Sequence, residues 1–282
     1  MQQRTHLTLS LFLPLLLYTT PSFSFFPSTD SFVYGGCSQL KYGPGSPYQF
    51  NINSLLTSLL SSSSFITYNN STYSGQGSSP LYGLYQCRGD VSTSDCYRCV
   101  QTAISQIGVL CSGSCGGAIQ LEGCFVKYDN ASFLGAPDKT MVANKCGPVT
   151  SGSGTDLLSR RDEVLTELGS RGGSFRVSTV GYVSGMAQCV GDLSAAECAD
   201  CLSEAIERAR GGCGASMSGD VYLGKCYVRY TASGVYGKAG NDSSDDEAGK
   251  TVAIIIGLLA GVFLVVLFLS FLRKVFEAGK GK

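Results

Sequence analysis

Cys96-Tyr-Arg-Cys99 and Cys198-Ala-Asp-Cys201 place two CxxC pairs in one chain. Three chemistries use that spacing. Two thiolate pairs suit a tetrahedral zinc site. A single pair at a helix start, where a thiolate is stabilised, suits thiol–disulfide exchange. In an exported chain the same cysteines suit permanent cross-links. Each pair sits in a longer frame, CRGDVSTSDCYRC at 87–99 and CVGDLSAAECADC at 189–201, with eight and then two residues between cysteines. The first frame spells Arg88-Gly89-Asp90, an adhesion-type tripeptide, but the second has Val190-Gly191-Asp192. Gly-Asp is therefore more economically a turn leading into a helix.

The compartment decides among the three. MQQRTHLTLSLFLPLLLYTTPSFS carries Arg4, an apolar run from Leu7 to Tyr18, and small residues Ser22 and Ser24. Residues 1–24 read as a cleaved secretory signal. TVAIIIGLLAGVFLVVLFLSFL, residues 251–272, is uncharged and long enough to span a hydrocarbon core of about 30 Å as a helix. An acidic linker, 239–250, precedes it, and the tail at 273–282 carries Arg273, Lys274, Lys280 and Lys282 against Glu277. By the positive-inside rule the protein is type I, with its mass outside the cell.

Several functions fall away. The single histidine, His6, lies in the signal, so the mature chain has no imidazole to act as base or metal ligand. Histidine-dependent serine and cysteine triads are excluded, and no constellation supports an enzyme. Between Phe25 and Lys250, 16 Lys plus Arg stand against 20 Asp plus Glu with no basic run, so nucleic acid is not an expected partner. The tail is too short to fold, so no enzyme domain lies inside the cell.

The ectodomain is an internal duplication. Cys87, Cys96, Cys99, Cys111 and Cys124 recur 102 residues later as Cys189, Cys198, Cys201, Cys213 and Cys226. One further cysteine precedes each set, Cys37 and Cys146, at an offset of 109, so the first copy carries about seven extra residues. SSSSFITYNNSTYSGQGSSP, loop-like in composition, is the place to expect them. The domains are read as 30–137 and 138–238. Thirteen cysteines resolve into two sets of six plus Cys115, where the second copy has Met217. A full even set per copy in an exported chain favours disulfide staples, each worth about 2 to 4 kcal/mol, over zinc or redox chemistry. Counting alone leaves fifteen pairings per copy open.

The elements that position these cysteines follow from periodicity. INSLLTSLLSS and DLLSRRDEVLTELGSRG, the latter with a stripe from Asp156 to Gly169, each predict an early helix. STSDCYRCVQTAISQIGVLC and SAAECADCLSEAIERARGGC predict a second, with Ser94 or Ser194 as N-cap and Cys96 and Cys99 on one face. LYGLYQC, AIQLEGCFVKYDN, GYVSGMAQC and DVYLGKCYVRYTA predict strands. Helix, strands, helix, strands points to an α+β fold. The expectation is two tandem disulfide-stapled domains, each an antiparallel sheet packed with two helices, plus one transmembrane helix.

The frame C-x8-C-x2-C-x11-C-x12-C, occurring twice between a signal and one membrane helix with a short tail, resembles the plasmodesmata-located proteins of plants, whose ectodomain is a tandem of the ginkbilobin-like module. The resemblance covers the chain from Cys37 onward. It implies a five-stranded antiparallel sheet against two helices in each copy. It also implies bridges Cys37–Cys111, Cys87–Cys96 and Cys99–Cys124, then Cys146–Cys213, Cys189–Cys198 and Cys201–Cys226. Ginkbilobin-like mannose binders carry Asn, Arg and Glu at three positions that are Ser38, Ala118 and Asp129 in the first copy and Gly147, Asp220 and Thr231 in the second. Neither copy keeps the bidentate guanidinium or the amide that would fix sugar hydroxyls, so mannose is not the expected ligand.

Asn69, Asn70, Asn130 and Asn241 sit in N-x-S/T sequons, of which adjacent Asn69 and Asn70 would not both be modified. Gly257 and Gly261 form a GxxxG step that permits close helix approach in the membrane. Cys115 is either a buried free thiol or an intermolecular bridge. The resemblance implies a non-enzymatic protein of the plasma membrane at plasmodesmata that controls cell-to-cell permeability, linked to callose and defence. Its expected partners are related proteins in homo- or hetero-oligomers, receptor kinases, viral movement proteins or wall polysaccharides. The other reading is a membrane-anchored lectin-like or antifungal protein. No cofactor or metal is expected.

Overall fold

The computed structural model describes residues 29–75, 80–149 and 154–232. The segments read as signal, linker, transmembrane helix and tail lie outside them, as do Asn241, Gly257 and Gly261. No helix among the described residues is long and apolar enough to cross a membrane.

The duplication is visible as two lobes of one design. The first runs β1 (Phe32–Cys37), α1 (Pro47–Ser62), β2 (Tyr68–Tyr73), β3 (Leu81–Cys87), α2 (Thr93–Leu110), β4 (Gly117–Leu121) and β5 (Cys124–Asp129). The second repeats it as β6 (Met141–Cys146), α3 (Thr155–Ser170), β7 (Phe175–Val180), β8 (Val183–Cys189), α4 (Ala195–Cys213), β9 (Ser218–Leu223) and β10 (Cys226–Ala232). Each lobe has one five-stranded sheet, ordered β1-β4-β5-β3-β2 and β6-β9-β10-β8-β7. Every pairing is antiparallel.

Helices cover one face of each sheet. In α1 the buried Ile52, Leu55, Leu56 and Leu59 form the three-and-four stripe of an amphipathic helix, and in α3 Leu157, Val164, Leu165 and Leu168 do the same. They pack on alternate strand residues, Leu81, Tyr85, Val126 and Tyr128 in the first lobe and Val183, Ala187, Val228 and Tyr230 in the second. Residues between these, such as Leu84 and Phe125, point to the helix-free face, yet both are buried. A one-residue alternation buried on both faces means that something covers the second face, and the other lobe does so.

The cysteines join the layers. Cys37–Cys111 ties β1 to the end of α2, Cys87–Cys96 ties β3 to the first turn of α2, and Cys99–Cys124 ties the middle of α2 to β5. Cys146–Cys213, Cys189–Cys198 and Cys201–Cys226 repeat the scheme. Cys115 is unbridged and buried, with 6% of its surface exposed. Its carbonyl accepts the Tyr48 hydroxyl at 2.7 Å.

Four sequence expectations are corrected. The order helix, strands, helix, strands omits a first strand in each lobe. FVYGGC and MVANKC are edge strands with no fully buried residue, bulged near Val33 and Val142, so no apolar alternation marks them. The Ser- and Asn-rich stretch is not all loop, because YNNSTY forms β2 through backbone pairing with β3. Most of the insertion lies just beyond it, since the β2–β3 connection spans residues 74–80 and its counterpart in the second lobe only 181–182. The cap of α2 is Ser92, which accepts the Asp95 N–H, rather than Ser94. Ser194 caps α4 in a capping box with Glu197. Finally, α3 continues past Gly169, where Ile206 of the neighbouring α4 packs closely on the missing side chain.

Candidate functional site

The two helix-free faces meet about a pseudo-twofold axis, and the contacts come in reciprocal pairs. A Cβ built on Gly89 would run into the Phe175 ring, and one on Gly191 would lie 2.8 Å from the Tyr68 ring. Gly89 and Gly191 are the duplicated glycines of the Gly-Asp turns, while Tyr68 and Phe175 occupy matching places opposite Gln86 and Gln188. Those glutamines also reach across. Gln86 accepts the Gly191 N–H at 3.0 Å, and Gln188 donates to the Cys87 carbonyl at 3.0 Å. The turn that contains Arg-Gly-Asp is thus consumed by the seam. Its Arg88 is bound to its own Asp90 at 2.6 Å and to the Glu122 carbonyl at 2.9 Å.

One charge cluster bridges the seam, and a second ties the connecting segment to the second lobe. Arg229 of β10 pairs with Asp220 of its own lobe at 2.9 Å and with Glu122 of the first lobe at 2.5 Å. Burial pulls its guanidinium down, but the bonds to Asp220 and Glu122 outweigh that and hold its pKa above the ordinary range. The second cluster is the buried pair of Lys225 and Asp192, beneath the Phe133 ring of the connecting segment. Desolvation pulls the Lys225 ammonium down despite its partner. Gly135, two residues on, donates its N–H to Asp192 at 2.9 Å. The connection is therefore strapped to the second lobe.

Against this seam opens a pocket of about 330 Å³ in the first lobe. Its floor is largely backbone: a Cβ on Gly36 of β1 would meet nothing within 4 Å, whereas those on Gly35 of β1 and Gly117 of β4 would turn to Leu110 and Cys111 on the helix side, and one on Gly116 would meet the Asp129 carboxylate. Ser38, Ala118 and Asp129, brought from the edge strand, β4 and β5, line it together. Asp129 caps its own turn through the Ala131 N–H at 3.0 Å, and the Ser38 hydroxyl accepts the Leu40 N–H at 3.2 Å. Lys127 adds the cation. It makes no ion pair among the described residues and lies 4.6 Å from the centre of the Phe133 ring. Tyr34, whose ring meets Tyr222 of the second lobe at 5.7 Å, forms one wall, and Val142 of β6 contributes to the rim. Such a pocket offers hydroxyl acceptors, a donor cation and an aromatic wall, which is equipment for holding a polar ligand.

The same positions in the second lobe are brought together differently. Asp220, opposite Arg229 on the neighbouring strand, is bound to it, and the rest of that guanidinium goes to Glu122. Gly147 lies against the Ser218 hydroxyl. Thr231 stands alongside on β10. Sequence reasoning missed these inter-lobe pairs, although the 102-residue offset that relates Gln86 to Gln188 was a usable signal.

The remaining sites are dispersed. Asn69 is half-buried and Asn70 exposed on β2, with the Asn70 amide donating to the Tyr68 hydroxyl at 2.6 Å, and Asn130 follows β5 in the connection. Among the described residues no group of three or more His, Cys, Asp or Glu side chains could hold a metal ion.

The tandem arrangement has recognisable relatives. A family described as salt stress response/antifungal matches residues 36–131 and again 145–233, one match per lobe. Plasmodesmata-located protein 6 of Arabidopsis thaliana is 57% identical over 90% of this chain and 92% of its own length. Plasmodesmata-located protein 7 of the same plant is 53% identical over 96% and 92%. The chain belongs to the plasmodesmata-located protein family. Among solved structures, the tandem DUF26 ectodomain of the Arabidopsis thaliana cysteine-rich receptor-like protein PDLP8 matches with a TM-score of 0.70 at 42% identity, covering 73% of this chain and all of that one. That of PDLP5 gives 0.68 at 44%, over 72% and all. Two sheets, each packed with helices and held by disulfides, are thus the architecture this family shares.

Proposed function

We propose that this protein is a non-enzymatic, receptor-like component of plasmodesmata, anchored by one type I membrane span, that binds an extracellular ligand and adjusts cell-to-cell permeability. The observation that carries the reading is the 57% identity with plasmodesmata-located protein 6 across 90% of the chain. The pocket of the first lobe supplies the ligand-binding place, with Lys127, Asp129 and Tyr34 as its polar and aromatic equipment. Callose deposition, defence, receptor kinases, viral movement proteins and oligomers with related chains belong to the same proposal. The run 251–272 is the anchor.

A fluorescent fusion in leaf epidermis is the test. Punctate wall signal at plasmodesmata and reduced dye spread on overexpression are expected. Uniform plasma-membrane signal with unchanged dye spread would overturn the proposal.

The second reading, a membrane-held lectin-like or antifungal protein, is favoured by 30% identity with an antimicrobial ginkbilobin-2-like protein of Castanea crenata over 70% of this chain. Ser38 and Ala118 weigh against mannose, because neither offers an amide or guanidinium fork to vicinal hydroxyls. Titration of the purified ectodomain should show no saturable mannose binding. Micromolar mannose binding would favour the lectin.

A further inference from the structure

We infer that the duplicated lobes have divided their labour: the first keeps the open pocket, and the second has turned the equivalent place into a lock, Arg229 with Asp220 and Glu122, that positions its own Val142 on the first lobe's rim. The inference rests on reading that pocket as the ligand site and concerns how the second lobe serves it.

The equivalences are set by the 102-residue offset. Lys127 corresponds to Arg229 and Ala118 to Asp220, each pair opposite one another on adjacent strands. In the first lobe the residue facing the cation is alanine. Lys127 therefore has no carboxylate opposite it on the paired strand, makes no ion pair among the described residues, and stays at the pocket 4.6 Å from the centre of the Phe133 ring. In the second lobe the residue facing the cation is aspartate, so guanidinium and carboxylate close the same space upon each other at 2.9 Å. Arginine has donors to spare after that bond, and the structure directs them to Glu122 in the β4–β5 turn of the other lobe. Lysine at the same place would present a point charge rather than the planar fork that meets both carboxylates.

The lock is mechanically connected to the rim. Asp220 lies on β9, which is hydrogen-bonded to β6, with Lys145 opposite Asp220 and Ala143 opposite Tyr222. Tyr222 in turn meets Tyr34 on the pocket wall edge-on at 5.7 Å. Val142, at the bulge of β6, is 41% exposed and stands at the pocket mouth. Glu122, Arg229, Asp220, β9 and β6 are thus a continuous path from the first lobe back to the rim of its own pocket. Arg229 is a positioning residue here, since it touches the rim only through others.

The protein contains no tryptophan, so Val142→Trp installs a single fluorescent reporter at the rim. In that background Arg229→Ala should red-shift the indole emission and raise its quenching by acrylamide, and Glu122→Gln should do so to a smaller extent. Arg160→Ala, which removes a pair with Asp156 on α3, should leave both unchanged. Far-UV circular dichroism and thermal unfolding establish that each variant is folded. Should Arg229→Ala fail to fold, Glu122→Gln carries the comparison alone. Unchanged emission and quenching in a folded Arg229→Ala or Glu122→Gln variant would overturn the lock.

A second measurement titrates the ectodomain with a (1→3)-β-glucan pentasaccharide. Saturable binding at one site per chain, weakened about tenfold by Arg229→Ala, is the size expected of such coupling. Two equal sites per chain would overturn the division of labour. No binding to the unsubstituted ectodomain would count against glucan at the pocket, while the rim indole still decides the lock.

Discussion

Individual side chains carry the seam, and tyrosines report on it. Burial pushes the phenols of Tyr34, Tyr222 and Tyr227 above the tyrosine range, and away from the seam Tyr128, in the helix-side core of the first lobe near Tyr42, Cys115 and Asp129, is pushed up to about 12. A phenol with a folded pKa above its unfolded value of about 10 contributes stability that is complete below that pH and is lost as pH rises past it. The melting temperature of the ectodomain should therefore fall from about pH 10 upward. Absorbance at 295 nm should show the exposed tyrosines ionising first and the buried ones only together with unfolding. A single smooth ionisation of all tyrosines in the folded state would mean that the seam does not exclude water. None of this is legible in the tyrosine positions themselves. Gly-Asp marks a turn in the bare sequence, but the ring its glycine faces comes from the other lobe and leaves no local sign.

At the scale of elements, local signals and tertiary pairing differ in visibility. The helices α1 to α4 announce themselves by apolar stripes, and Ser194 with Glu197 is a capping box readable as Ser-Ala-Ala-Glu. Ser92 can be found by carrying Ser194 back 102 residues. Ser92→Ala and Ser194→Ala should each cost about 1 kcal/mol, while Ser94→Ala should cost little, read from the shift in urea midpoint at constant slope. Equal effects of Ser92→Ala and Ser94→Ala would return the cap to the later residue. Strands β1, β6 and β2 are invisible for a different reason. They hold their places by backbone hydrogen bonds to β4, β9 and β3, and such bonds require no particular side chains.

For the whole molecule, the two lobes behave as a dimer fused in one chain, with reciprocal contacts of the kind a twofold axis demands. Gly89→Val and Gly191→Val should each destabilise by about 1 to 3 kcal/mol, since the added carbons enter space held by Phe175 and Tyr68. Small-angle scattering should show the lobes apart while the helical circular dichroism of each persists. Gly108→Val, where a Cβ meets nothing within 4 Å, is the control for valine in place of a glycine. A compact Gly89→Val variant of full stability would mean that the glycines serve only their turns.

Cysteine number and spacing by themselves determined the duplication and its offset, and together with the reading of the chain as exported they favoured staples over metal or redox chemistry, because such signals lie in residue type and order. Helical stripes are local for the same reason. Only the tertiary structure decided which face of each sheet meets the other lobe, and why the first pocket is open while its copy is closed. That difference turns on Ala118 against Asp220 and on Lys127 against Arg229, residues unremarkable in sequence that acquire meaning only when antiparallel strands set them side by side.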